Sequence, residues 1–335
     1  MTCCGQALEG DPDGGKTRVV TQNNGGPTYW VGRQANGGNF TPYWDTMGLY
    51  DWGGALSMAR TLGGDANQVA VAGRKVLVGW LGYGGGKDTA MQSLGRDLSL
   101  SKDYELLQQF VPELKMLRVP GSHTRDEFDG DETDSDGRRV QQSVKVAGSP
   151  LAEVVAEFEL SSDLIERDGG GAFGVTVLGG GATGKYTITL AATTKSATVS
   201  GKGIPRQTSL SGPLSVVGSK VRLHAIVDKG VIEVIYNNRT AIATNTKLES
   251  PNATEIALFV RPLRLPALVD SAALTSWWRA GRWRWGEGHA GDLGAEGSEQ
   301  PEAAAVGRTA ASSRAQETSC PRRLHAFATG VRTRA

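Results

Sequence analysis

Residues 74–118 read RKVLVGWLGYGGGKDTAMQSLGRDLSLSKDYELLQQFVPELKMLR. The first part, Lys75–Leu81, is an apolar run rich in β-branched residues, and glycines at Gly82, Gly84, Gly85 and Gly86 follow it. That order predicts a strand and then a loop. In Arg96-Asp97-Leu98-Ser99-Leu100 apolar and polar residues alternate, as on a half-buried strand. Lys102-Asp103 reads as a polar turn. Leu106, Leu107, Phe110, Leu114 and Leu117 then stand at helix-like spacing, and Pro112 suits the first turn of a short helix.

Outward from this stretch the chain stays β-patterned. Upstream, strands are predicted over residues 17–21, 28–32 and 56–62, with a turn at Asp51-Trp52-Gly53. Downstream, residues 120–150 read as an interdomain connection holding an acidic run at 126–137. From Leu151 the pattern is all strand. In Ala156-Glu157-Phe158-Glu159-Leu160 the acids face one way and the apolar groups the other. Further strands are predicted over 174–178, 186–191, 197–200, 221–227, 231–236, 240–243 and 255–260, with Gly or Asn turns between them. That spacing argues for a β-sandwich. After Trp278 the sequence loses periodicity and becomes rich in Ala, Gly and Arg, so residues 279–335 read as a disordered low-complexity tail.

Composition narrows the function classes. The 36 basic and 35 acidic side chains leave a net charge of +1, which gives no electrostatic case for a nucleic-acid or anionic membrane partner. No apolar run approaches 18 residues, and no basic segment leads into an apolar one at the N-terminus, so neither a membrane span nor a signal peptide is read. The 46 glycines are nearly twice the usual share of about 7%, as short strands joined by tight turns require. Cys3, Cys4 and Cys320 have no zinc spacing, and no cofactor is expected. Sequons at Asn39, Asn238 and Asn252 favour a secretory origin.

The order "apolar strand with Gly-Trp, Gly-rich loop, Q-S-L-x-R-D-L-x-L, turn, L-L-Q, P-x-E-L-x-x-L-R" resembles glycoside hydrolase family 32, the invertases, inulinases, levanases and fructan exohydrolases. Gly95 departs from the pattern, since the family usually has proline there. A second likeness is Leu223-His224-Ala225-Ile226-Val227-Asp228-Lys229-Gly230-Val231-Ile232-Glu233-Val234-Ile235, which resembles the family's L-x-x-x-V-D-x-S-x-I-E-V-F hairpin with Gly230 for serine. The resemblance implies an all-β chain in three parts. Residues 1–118 would be the last part of a five-bladed β-propeller, 119–278 a C-terminal β-sandwich, and 279–335 the tail. It implies hydrolysis of β-fructofuranosidic bonds in sucrose or fructans, in a family often secreted or vacuolar. The carbohydrate partner would require the propeller to be completed.

Glycoside hydrolysis needs two carboxylates astride the scissile bond. The family takes its nucleophile from W-x-N-D-P-x-G, a transition-state stabiliser from R-D-P and its acid/base from a glutamate-cysteine pair. Asp11-Pro12-Asp13-Gly14 imitates the first, but Gly10 replaces the asparagine and no tryptophan precedes it, so it reads as a turn. Arg96-Asp97 lacks the proline of the second and reads as a positioning ion pair on its strand. Thr2 and Cys3, which precede Cys3 and Cys4, are not carboxylates. With these motifs missing, no catalytic residue is assigned and the chain is expected to be inactive by itself. The alternative is a non-catalytic carbohydrate-binding or structural β-sandwich module.

One residue remains as a substrate-contact candidate. Leu49-Tyr50-Asp51-Trp52-Gly53 resembles the family's D-Y-G motif, whose aspartate lies near the leaving-group side of the substrate. Asp51 matches that aspartate, and the plain reading beside it is a turn aspartate bonding nearby backbone N–H groups. The acidic run lacks the glutamate that an EF-hand loop needs at its last position, so it reads as solvated linker. The glycine patterns at 169–174 and 179–185 read as hairpin turns, and His224 as a solvent-facing strand residue.

Overall fold

The computed structural model describes residues 2–3, 12, 17–22, 27–34, 39–62, 74–82, 91–129, 143–144, 151–160, 172–179, 186–191, 195–202, 204, 208–216, 218–228, 230–246, 255–261 and 269–278. Most of the Asp11–Gly14 turn, the acidic residues from Asp131, the glycine runs at 169–171 and 180–185, and the tail beyond Trp278 lie outside the described residues.

The described residues form four antiparallel sheets. The first holds β1 (Thr2–Cys3), β2 (Thr17–Gln22), β3 (Thr28–Gln34) and β4 (Phe40–Pro42) in that order, with β5 (Gly48–Leu49) added to β3. The second holds β6 (Leu56–Leu62), β7 (Lys75–Leu81), β8 (Met91–Gln92), β9 (Arg96–Leu100) and β10 (Leu106–Phe110), in the order β10-β9-β7-β6 with β8 added to β7. Val19, Val31, Tyr50, Leu56, Leu77, Leu81, Leu98 and Leu106 form one buried cluster between these two blade-like sheets.

Two predicted features of this half changed on folding. The helix-like spacing from Leu106 is a strand: Leu106, Gln108 and Phe110 are buried in alternation, a period of two that pairing with β9 enforces. Among the described residues only Pro112–Leu117 is helical, a 3-10 turn with Pro112 at its start. The expected Arg96–Asp97 pair does not form either. Successive side chains on a strand point to opposite faces, so Asp97 turns to Arg74 at 2.7 Å while Arg96 turns inward.

The remaining strands, in chain order, are β11 (Thr124–Asp129), β12 (Ser143–Val144), β13 (Leu151–Leu160), β14 (Ala172–Gly179), β15 (Tyr186–Ala191), β16 (Ser196–Ser200), β17 (Ser209–Pro213), β18 (Lys220–Asp228), β19 (Val231–Tyr236), β20 (Thr240–Asn245), β21 (Glu255–Arg261) and β22 (Val269–Trp278). They build two six-stranded sheets in the orders β11-β22-β13-β18-β19-β20 and β12-β21-β14-β15-β16-β17. The inner faces meet in one core of Val154, Ala156, Phe158, Leu160, Phe173, Val175, Ile188, Leu190, Val221, Leu223, Ile232 and Val234, all at most 1% exposed. This is the predicted sandwich.

The predicted linker is more ordered than a linker. Thr124–Asp129 is an edge strand paired to β22, and Ser143–Val144 pairs to β21, so the segment serves both sheets. β17 escaped the sequence pattern because Gly212 and Pro213 demote a strand, and it too lies at a sheet edge.

Candidate functional site

Strand β19 explains how the two halves meet. All six residues of Val231–Tyr236 are buried. Ile232, Val234 and Tyr236 point into the sandwich core, while Val231 and Ile235 pack with blade residues. Glu233 shares their face, so a carboxylate stands in the middle of an apolar junction.

That carboxylate meets a cation from the second blade sheet. Arg96 on β9 donates from Nη2 to Glu233 Oε2 at 2.9 Å and to Asp51 Oδ2 at 2.8 Å. The three side chains are at most 2% exposed. Arg96 Nη1 reaches the Tyr50 carbonyl and Gln108 Oε1, both at 3.4 Å. The Gln108 amide donates to the Tyr50 and Arg239 carbonyls at 3.0 and 3.1 Å. The free ends of the carboxylates accept backbone amides: Gly53 N and Ala243 N donate to Asp51 Oδ1 at 2.8 and 2.9 Å, and Leu94 N donates to Glu233 Oε1 at 2.8 Å. Asp51 therefore combines the predicted turn bond with bonds to Arg96 and to the sandwich. It is enclosed on all sides.

Electrostatics follow from burial. Desolvation pushes the Asp51 and Glu233 carboxyls above their ordinary values, against the pull of Arg96 and the amides. Burial also works against the Arg96 charge, but Asp51 and Glu233 beside it hold the guanidinium protonated. Two carboxylates against one guanidinium leave the cluster formally one charge negative, so the pair takes up a proton more readily than exposed acids do. Removing one member of such a buried network costs about 3–5 kcal/mol, because the others lose their counter-charge in a low-dielectric setting. The exposed Lys220–Glu159 pair at 4.0 Å belongs to the class that contributes about 0–1 kcal/mol.

Backbone contacts seal the same junction. Trp52 N donates to the Ala241 carbonyl at 2.8 Å, and Gln108 N to the Asn238 carbonyl at 2.7 Å. Asn237 and Asn238 carry φ of 45° and 57°, with Arg239 N bonded to the Tyr236 carbonyl, so the hairpin tip is a type I′ turn that Asn tolerates. Gly53 sits so close that a Cβ there would lie 1.9 Å from the Ala243 carbonyl oxygen.

A second ionic group lies where the 3-10 turn leads into the sandwich. Arg118 grips Glu153 through Nε and Nη2 at 2.7 and 2.8 Å, and His224 Nε2 bonds Glu153 Oε1 at 2.9 Å. Phe110 packs edge-on against His224 at 4.9 Å. His224 is thus packed at the junction, contrary to the solvent-facing prediction, because β10 covers that face of β18. Burial pushes Glu153 up, but Arg118 and His224 outweigh it and hold the carboxyl at about 2.

Sequence reasoning singled out Asp51 as a substrate contact rather than a junction residue, and it did not assign Glu233, Gln108, Glu153 or His224 to a site. The legible signal was a lone glutamate inside VIEVIY, an apolar run long enough to be covered on both faces.

Residues 113–268 match the family model described as "Glycosyl hydrolases family 32 C terminal". No curated protein matches the chain in sequence. Among solved structures, exo-inulinase from Aspergillus awamori superposes with a TM-score of 0.62 at 15% identity, covering 82% of this chain and 56% of that one. Fructan 1-exohydrolase IIa from Cichorium intybus gives 0.55 at 14% identity, covering 78% and 56%. Fructofuranosidase from Schwanniomyces occidentalis complexed with fructose gives 0.58 at 15%, covering 81% and 58%. At these identities the likeness is one of fold, and the chain spans little more than half the length of each neighbour.

Proposed function

We propose, from the match of residues 113–268 to the model described as "Glycosyl hydrolases family 32 C terminal", that this chain is the propeller-closing, sandwich-bearing half of an enzyme acting on β-fructofuranosidic bonds in sucrose or fructans. Its own task is to hold blade sheets against the sandwich in fixed register. The observation that supports this is the Arg96 clasp, in which one guanidinium joins Asp51 of the blade side to Glu233 of the sandwich.

A retaining glycosidase keeps two carboxyl groups about 5–5.5 Å apart with the sugar between them. Asp51 and Glu233 instead turn on to one guanidinium and three backbone amides. They position the junction and leave the chemistry to other carboxylates. The contribution of Asp51 to substrate is indirect on this reading: it fixes the turn that presents Trp52.

Purified chain incubated with sucrose, inulin and levan should release no fructose, and release above the buffer blank overturns the scaffold reading. Transcript sequence ahead of the Met1 codon is the companion test. A continuous frame encoding W-x-N-D-P-x-G, R-D-P and a glutamate-cysteine pair supports the enzyme. An in-frame stop directly ahead of Met1 counts against it.

A further inference from the structure

We propose that a cleft of about 420 Å³ beside the junction is an oligosaccharide-binding site. It is lined by the buried Val31 and Leu106 and by the exposed Trp44, Met47 and Trp52. The rim carries Asp103, Ser215 and the Glu105–Arg239 pair, whose Nε–Oε2 distance is 2.8 Å. The volume lies within the range of about 300–1,000 Å³ usual for small-ligand sites.

The aromatic walls are built and then left open. Trp52 lies across Gly212 of β17, where a Cβ would come within 2.7 Å of the indole Cγ. Any other residue at 212 would push the ring away, so the sandwich edge is shaped to seat it. Trp52 is nevertheless 38% exposed and Trp44 42%. Trp44 stands edge-on to Tyr43 at 6.0 Å, and Tyr43 packs on Tyr104 at 4.6 Å, which braces the wall from behind. Indoles that are braced in this way and still keep this much surface in water are an unspent stacking surface.

The chemistry of the lining selects the occupant. Two indoles offer flat apolar faces that match the C–H face of a sugar ring. Carboxylates, a guanidinium and a hydroxyl beside them match its hydroxyl groups as acceptors and donors. Asp103 and Glu105 disfavour a phosphate or another anion. The polar rim disfavours a purely apolar ligand, whose entry would strip water from these groups without replacement. A neutral polyol chain satisfies both parts. The choice of fructan as the sugar rests on the function proposed above, while the glycan class rests on the cleft.

Titration calorimetry of the full chain with a short fructo-oligosaccharide, and separately with a cello-oligosaccharide of equal length, tests this. Trp44→Ala and Asp103→Asn should each weaken fructo-oligosaccharide binding about tenfold or more. Trp80→Ala, which removes an exposed indole outside this cleft, should leave it unchanged. Unaltered melting temperatures of these surface variants keep the comparison valid. Absence of binding to either sugar, or binding indifferent to Trp44→Ala, overturns the proposal. Equal binding of both sugars that Trp44→Ala removes upholds the cleft and overturns the fructan assignment. None of these outcomes depends on fructose release.

Discussion

Asp51 and Glu233, one from the blade side and one from the sandwich, bond the same nitrogen, Arg96 Nη2, at 2.8 and 2.9 Å. The two halves therefore share a single buried counter-charge. Glu233 loses this partner if the sandwich moves away, whereas Asp51 and Arg96 both belong to the blade side.

Arg96→Met should destabilise the protein by about 3–5 kcal/mol, since it strands two buried carboxylates. Chemical denaturation of the variant gives the number. A loss under about 1 kcal/mol, the range of an exposed pair, would show that the junction is held by apolar packing alone. Replacing Asp51, Arg96 and Glu233 together by apolar residues of similar size should cost less than Arg96→Met, because no charge is then left uncompensated.

Gly53→Ala should open the junction without touching the sandwich core. The added methyl would meet the Ala243 carbonyl oxygen at 1.9 Å, a contact neither backbone can yield to cheaply. Limited proteolysis should then cut between blade sheets and sandwich while residues 151–261 survive as a resistant fragment. Wild-type resistance across the junction in the variant contradicts this.

Acid should act on the two ionic groups in opposite directions. The folded-state value of Glu153 is depressed from 4.5 to about 2, so its contribution is fully present above about pH 4.5 and is lost as pH falls toward 2. Asp51 and Glu233 are raised, so the strain of their ionised forms is relieved as pH falls. Melting curves of Glu153→Gln between pH 5 and 2, a window of about those two values, should show a flatter acid limb than wild type. An equally steep limb would mean that Glu153 is not the group responsible.

Phe158→Ala and Ile232→Ala test the strand phase of the sandwich. Both side chains are at most 1% exposed in its core. Each truncation should cost about 2–5 kcal/mol. Unfolding midpoints equal to wild type would place those side chains outside the core.

How much of this was legible beforehand depends on the range of the interaction. β6, β7, β9, β15 and β19 lie where alternation and apolar runs put them, because such patterns reflect which face a neighbouring sheet covers. Leu106–Phe110 misled because apolar residues at 106, 107, 110, 114 and 117 fit a helix equally well; pairing with β9 chose the strand. β11 was hidden by its charges, since an edge strand needs no apolar alternation to find its partner β22. At the site, Asp51 was visible through a local motif, whereas Glu233 was visible only as an odd charge in an apolar run.

By itself the sequence determined the all-β character, most of the sandwich strands and the family likeness, all of which rest on residues near one another in the chain. Tertiary structure alone decided that Arg96 leaves Asp97 for Asp51 and Glu233, that His224 is covered by Phe110, and that Trp44 and Trp52 come to flank one cleft. The physical reason is that a charge chooses its partner by distance and desolvation in the folded state. Which half of the chain supplies that partner is settled only when the sheets pack.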